Sequence, residues 1–276
     1  MRRKTLFALA MTFVLGLCSC GNAESPNVSG PESVNKPETA TETESATKSE
    51  QSAETTTETM EETKMTYEID PTKPMIAITF DDGPNTTTTV QILDLLEEYG
   101  VRASFFVIGD NINEKSGEVM KRAYDMGCEI NNHSKTHQSM PSLTADVIKA
   151  EIEYTSNKVE EITGEPTKFF RPPYIAVNNT MYEQIDMPFI CGYGCNDWEA
   201  SVTAEMRATK TLEQAEDGAI ILLHDFYGNS ATVEALKTII PELKERGYQF
   251  VTVSELFEAK GKEISGDDTN LYSVVK

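Results

Sequence analysis

From residue 75 onward, short apolar runs rich in β-branched and aromatic residues alternate with longer stretches in which apolar positions recur every three or four residues. The first pattern suits buried strands and the second amphipathic helices. Strands are expected at 75–80, 103–108, 128–131, 168–170, 189–193, 219–223 and 249–253. Helices are expected at 90–99, 114–125, 144–163, 180–184, 204–216, 232–246 and 254–259. Gly100, Gly127 and Gly247 stand where helices would stop, and Thr144 can cap the helix at 144–163. A strand-then-helix unit repeated about seven times implies an α/β fold with a mostly parallel sheet. Periodicity alone leaves open whether that sheet closes.

The first 65 residues follow a different pattern. Arg2, Arg3 and Lys4 precede an apolar run at 6–17, too short to span a bilayer comfortably, which is the form of an export signal. The run ends in L-C-S-C at 17–20, similar to a bacterial lipobox. That similarity implies a lipidated Cys20 and a protein held at the bacterial cell surface by its N-terminus; plain cleavage and secretion is the alternative. Residues 21–65 are Thr, Glu, Ser, Pro and Ala with almost no large apolar side chain, so burial cannot offset their ordering entropy. As a flexible tether of that length they would reach roughly 35–40 Å. The folded domain is expected at 66–262, with a C-terminal tail at 263–276.

Composition sharpens this picture in two respects. The formal net charge is −21; residues 1–20 hold three bases and no acid, residues 21–65 hold ten acids against three lysines, and −17 is left on the remainder. Such a surface would release no counterions from a phosphate backbone, which argues against a nucleic-acid partner and suits a neutral or cationic substrate. Besides Cys18 and Cys20 there are Cys128, Cys191 and Cys195. Cys191 and Cys195 straddle a strand end, poor geometry for a bridge, so mostly free, buried thiols are expected. A monomer is expected.

The candidate chemistry sits at the strand ends. T-F-D-D-G-P at 79–84 puts Asp81 and Asp82 side by side where the first strand runs out. Adjacent carboxylates raise one another's pKa unless a cation lies between them. By itself such a sequence is more often an exposed turn. N-H-S-K-T-H at 132–137 carries two histidines four apart, a metal-ligand spacing, and I-I-L-L-H-D at 220–225 carries the third and last histidine of the chain. F-F-R-P-P-Y at 169–174 fixes backbone after Arg171, and N-D-W at 196–198 sets the only tryptophan beside Asp197. An arginine beside carboxylates can hold one ionised, and rigid backbone can aim an N–H at an oxyanion. Singly, Arg171, the prolines and Trp198 have ordinary structural readings. Together, Asp81, Asp82, His133, His137, Arg171, Asp197 and His224 follow five different strands. A closed barrel brings many strand ends to one mouth, so a barrel is favoured.

This ordered set resembles the five motifs of the polysaccharide deacetylases, carbohydrate esterase family four, over about residues 73–259. The resemblance implies a distorted (β/α) barrel of about seven strand-helix units and removal of acetyl groups from a polysaccharide. It implies Asp81 as catalytic base, Asp82, His133 and His137 as metal ligands, and Arg171 as the residue that orients Asp81. It further implies the Tyr174 N–H as an oxyanion donor, His224 as general acid held by Asp197, and Trp198, Leu222 and Pro173 around the substrate pocket. The sequence departs from the family pattern at Gly194, where an acid is usual, at Asn131, and at Ile175, positions that shape the floor and rim.

Two imidazoles and one carboxylate with open positions suit zinc, with cobalt, nickel or manganese as alternatives. Such an ion acidifies a bound water, Asp81 would take its proton during attack on an acetamide, and His224 would protonate the departing amine. Cell-wall peptidoglycan is the expected substrate. The same residues would serve on acetylxylan or chitooligosaccharides, and a non-catalytic glycan-binding domain is the rival class.

Overall fold

A computed structural model describes residues 67–276 apart from 264 and 267. The expected export signal, Cys20 and the tether lie outside the described residues. In chain order the elements are β1 (Met75–Asp81), α1 (Thr88–Tyr99), β2 (Ser104–Val107), α2 (Glu114–Asp125), β3 (Glu129–Asn132), α3 (Ala145–Thr163), α4 (Asn179–Gln184) and β4 (Phe189–Ile190). There follow β5 (Tyr193–Gly194), α5 (Ala204–Gln214), β6 (Ala219–His224), α6 (Ser230–Glu245), β7 (Gln249–Phe250), α7 (Val253–Ala259) and β8 (Leu271–Tyr272).

All seven residues of β1 are buried, because each face meets its own apolar layer. Ile76, Ile78 and Phe80 pack with Ile92, Leu96, Met120 and Leu236 from the surrounding helices. The alternate positions Met75 and Ala77 join Phe106, Phe169, Ile220 and Phe257 in a second cluster. A strand covered on both sides is what an almost unbroken apolar run requires. The main sheet runs β3-β2-β1-β6-β5, with β7 paired to the start of β1, and every pairing is parallel.

The sheet closes by a thin seam. Phe170 bridges Asn132 at the end of β3 to Phe189 in β4. β4 pairs with β8, and Val274 then pairs with Ala219 of β6. The pairings thus return to the strand beside β1, and the result is a distorted α/β barrel. The expected tail at 263–276 therefore contributes β8, and Val275 is buried in the second cluster.

Three expected strands are shorter or absent. At 168–170 only Phe170 forms bridges, because the buried Asn131 side chain takes the N–H groups of Lys168 and Phe169 (3.2 and 3.1 Å) that a ladder would use. The strand expected at 189–193 breaks where Cys191 and Gly192 both donate to the Tyr272 carbonyl. The strand at 249–253 ends at Phe250, since Thr252 and Glu255 form a reciprocal cap that starts α7. The three glycine stops all have positive φ, as expected. Thr144 occupies the cap position of α3, but its side chain makes no capping bond. Among the described residues no disulfide forms at Cys128, Cys191 or Cys195.

Candidate active site

Along β1 the alternation that sends Ile78 and Phe80 outward turns Thr79 and Asp81 the other way. There Asp81 Oδ1 accepts from Arg171 Nη1 at 2.6 Å, and the same nitrogen donates to Thr79 Oγ1 at 2.8 Å. Arg171 is fully buried, its guanidinium 4.1 Å from the centre of the Phe106 ring. Asp82 has a φ of 76°, which ends the alternation and lets two consecutive carboxylates line one cavity. Strain of this kind in a non-glycine residue gathers where function requires it, and His137 and Tyr174 at the same cavity also have positive φ. Behind the turn, a Cβ on Gly83 would stand 2.3 Å from Asp225 Oδ2, so glycine is needed for close approach. Burial pushes the Asp225 carboxyl up to about 7, with the nearby charges of Asp82 and Asp81 adding to it against a bond from Thr89.

His133 follows β3 directly, and its Nδ1 lies 2.6 Å from the Arg171 carbonyl oxygen. A carbonyl only accepts, so Nδ1 carries the proton and Nε2 presents its lone pair. That Nε2 lies 3.5 Å from Asp82 Oδ1, and His137 Nε2 lies 3.3 Å from the same oxygen. The loop between the histidines is held by Glu151 of α3, whose Oε2 accepts from the backbone N–H groups of Lys135 and Thr136. Asp82, His133 and His137 offer ligand atoms all within 4.8 Å of one another. Asp82 Oδ1 is buried and accepts from no donor among the described residues. A buried carboxylate oxygen facing two imidazole lone pairs is costly without a cation between them, so this donor set fits a divalent metal. The electrostatics agree. Burial would raise the Asp82 carboxyl, but the pull of the nearby imidazoles, His133 first and then His224 and His137, holds it below its usual range. Burial and the neighbouring His133 push His137 down, toward the neutral ligand form.

Across β1, His224 is the register partner of Asp81. Its Nδ1 lies 2.7 Å from Asp197 Oδ1, and its backbone N–H donates to Asp197 Oδ2 at 2.8 Å. Burial alone would lower this imidazole; the Asp197 bond and charge, with Asp81 and Asp82 further off, outweigh it and raise it to about 9. The Trp198 ring stands edge-on, 5.3 Å from that of His224, and is half exposed.

These groups share one cavity of about 410 Å³. Asp81, Asp82, His133, His137 and His224 supply its ionisable lining, and Tyr174, Trp198 and Leu222 line it as well. Arg171 and Asp197 do not line it; they are buried behind Asp81 and His224. Pro173, expected in the pocket, is buried in the turn and does not line the cavity; Pro172, itself buried, and Ile175 line it instead. A larger hollow of about 880 Å³ lies along α2 and α3. Among the described residues, the one cluster that could hold a metal is in the smaller cavity. Glu151, Asn229 and Thr232, which hold these groups in place, have no mark in the sequence, where each is one of many polar residues, and Thr79, though it opens the T-F-D-D-G-P stretch, carries no sign there of its bond to Arg171.

A strand-end site of this design, with a triad able to hold a metal between a buried Arg–carboxylate pair and a buried carboxylate–imidazole pair at a barrel mouth, suits a hydrolase of the α/β class. The family model for polysaccharide deacetylases matches residues 68–189. A peptidoglycan-N-acetylglucosamine deacetylase of Bacillus cereus is 36% identical over 207 residues, covering 71% of this chain and 94% of that protein. A bifunctional xylanase/deacetylase of Pseudobutyrivibrio xylanivorans is 54% identical over 187 residues, 68% of this chain, but the chain spans only 31% of that relative. Among solved structures, a family 4 acetyl xylan esterase from Clostridium thermocellum, bound to a cobalt ion, superposes with a TM-score of 0.71 at 40% identity, covering 73% of this chain and 98% of that one. The chain belongs to the polysaccharide deacetylase family of hydrolases.

Proposed function

We propose that this cavity removes acetyl groups from a cell-wall polysaccharide, with N-acetylglucosamine units of peptidoglycan as the substrate. The observation that carries this reading is the convergence of the Asp82–His133–His137 cluster, the Asp81–Arg171 pair and the Asp197–His224 pair on one cavity. Zinc is the metal proposed, with cobalt, nickel and manganese as alternatives; once bound, it would acidify a water and polarise the acetyl oxygen. Asp81, oriented by Arg171, takes the proton of the attacking water. The Tyr174 N–H meets the developing oxyanion. Trp198 and Leu222 receive the acetyl methyl. His224, held by Asp197, hands a proton to the leaving group. An amide needs that proton far more than an ester does, and an imidazole raised to about 9 holds one at neutral pH. Cys20 is proposed as the lipid anchor, with 21–65 as the tether that lets the domain search the wall.

Acetylxylan is the second reading, favoured by the 54% identity to a relative named as a xylanase/deacetylase. Parallel assays of the metal-replete protein on N-acetylglucosamine oligomers, peptidoglycan and acetylxylan decide between them. Turnover confined to acetylxylan would put that polymer in the place of peptidoglycan. No turnover on any of the three would favour a glycan-binding role.

His224→Ala is expected to keep its metal and to lose about a hundredfold or more on an acetamido sugar. On an activated aryl acetate, whose leaving group needs no proton, the loss should be far smaller. Equal losses on both, measured as kcat/KM with metal content intact, would remove His224 from the role of acid.

A further inference from the structure

Arg207, on α5, is a buried cation, and among the described residues no carboxylate lies within ion-pair distance of it. Four of its five N–H donors are nevertheless used. Nη1 donates to Asn229 Oδ1 at 2.6 Å and to Thr232 Oγ1 at 2.9 Å, Nε to the Val202 carbonyl at 2.9 Å, and Nη2 to the Glu199 carbonyl at 3.3 Å. From Thr232 and Asn229 the bonds continue to the general-acid pair. Thr232 Oγ1 lies 2.8 Å from Asp197 Oδ2, and Asn229 Nδ2 lies 2.9 Å from the His224 carbonyl oxygen.

The direction of every bond in this chain is fixed from both ends, by the arginine, which only donates, and by the His224 carbonyl and the Asp197 carboxylate, which only accept. A guanidinium donates and cannot accept, so the oxygen of the Asn229 amide must face it. The amide nitrogen is thereby turned toward the His224 carbonyl, toward Thr232 Oγ1 at 3.0 Å and, more distantly, toward Asp197 Oδ2 at 3.5 Å. Thr232 Oγ1 then receives two hydrogens, from Arg207 and from Asn229, which fills both lone pairs. Its single proton has one remaining acceptor, Asp197 Oδ2. Without the arginine, Asn229 Oδ1 and one lone pair of Thr232 Oγ1 would lose their donor in a dry site, and both side chains could shift away from Asp197 and the His224 carbonyl.

We infer that Arg207 is a positioning residue of the general acid: through Asn229 and Thr232 it fixes the orientation of Asp197, and so of the His224 imidazole. This rests on His224 being the acid. A role in fold stability alone would lower hydrolysis of all substrates together, whereas a role in orienting the acid lowers only the reaction that needs a proton on the leaving group.

The test compares kcat/KM on an N-acetylglucosamine oligomer with that on an activated aryl acetate, at equal metal content, for Thr232→Val, Thr232→Ser, Arg207→Met and His224→Ala. Valine keeps the shape of Thr232 and loses the hydroxyl, so it reads the relay without removing a large buried side chain. Thr232→Val and Arg207→Met are each expected to lower the amide-to-ester ratio by about tenfold, a part of the general-acid contribution. Thr232→Ser, which restores the hydroxyl, should recover most of it. A wild-type ratio in Thr232→Val, or equal loss on both substrates, overturns the inference if His224→Ala does lower the ratio. If His224→Ala leaves the ratio unchanged, the assignment of the acid falls first and this inference with it.

Discussion

Asp81→Asn is expected to keep its metal and to lose on the order of a hundredfold to ten-thousandfold in kcat, the range that general-base catalysis supplies. The substitution is nearly isosteric, and an amide oxygen can still accept from Arg171 Nη1, which now sits 2.6 Å from Asp81 Oδ1. The buried arginine therefore keeps a partner, and the barrel should fold. What disappears is the capacity to take a proton. Oδ2 of Asp81 lies 3.6 Å from His133 Nε2, beside the ligand cluster but outside it, so metal content should stay near that of the parent. Turnover on an N-acetylglucosamine oligomer, read alongside elemental analysis, checks both halves. A variant within tenfold of the parent, with its metal in place, would mean that the base lies elsewhere.

His133→Ala should act by a different route. Its ring is the most constrained of the three ligands, buried and held at Nδ1 by the Arg171 carbonyl oxygen, so its Nε2 is aimed before any ion arrives. Such an outer hydrogen bond fixes both tautomer and ring orientation. Removing the ring leaves Asp82 and the partly exposed His137 as the remaining donors. Metal affinity, measured by calorimetric titration of the stripped protein, is expected to fall at least tenfold. Activity at limiting metal should be lost. Chelation of the parent should likewise abolish turnover, and zinc or cobalt should restore it. Full metal content in the purified mutant would show that the ligands are misassigned.

The sequence carried most of this architecture because the strands are buried on both faces. Their apolar runs are unbroken, and a polar residue at the end of such a run stands out. That is why Asp81 and His224 were legible, whereas His133, which follows the largely polar Glu129–Asn132, was legible from its spacing of four from His137; the spread of these residues over several strand ends is what favoured closure. What was not legible depends on contacts between distant segments. Asn131 replaces a stretch of ladder with its side chain, which no local pattern announces. Glu151 is one acid among several on a long helix, and only the fold lays it under the loop between His133 and His137. Pro172 and Pro173 cannot be told apart from sequence as wall and support. Only the folded turn makes that choice. Arg207 reads as a surface residue of an amphipathic helix, and its burial follows from how α5 meets α6.

The seam formed by residues 271–275 bears on how the protein can be handled. Tyr272 accepts from Cys191 and Gly192, Ser273 accepts from Ile220, and Val275 donates to Gly218. A recombinant form stopped at residue 262, where the last long helix has already ended, would strip these partners from the strands on either side and open the apolar interior at Val275. Each backbone group left unpaired there costs about 1–3 kcal/mol. Affinity tags and fusion partners therefore belong on the side of the chain that leads into β1, and the final residues should be kept intact in any shortened version of the domain.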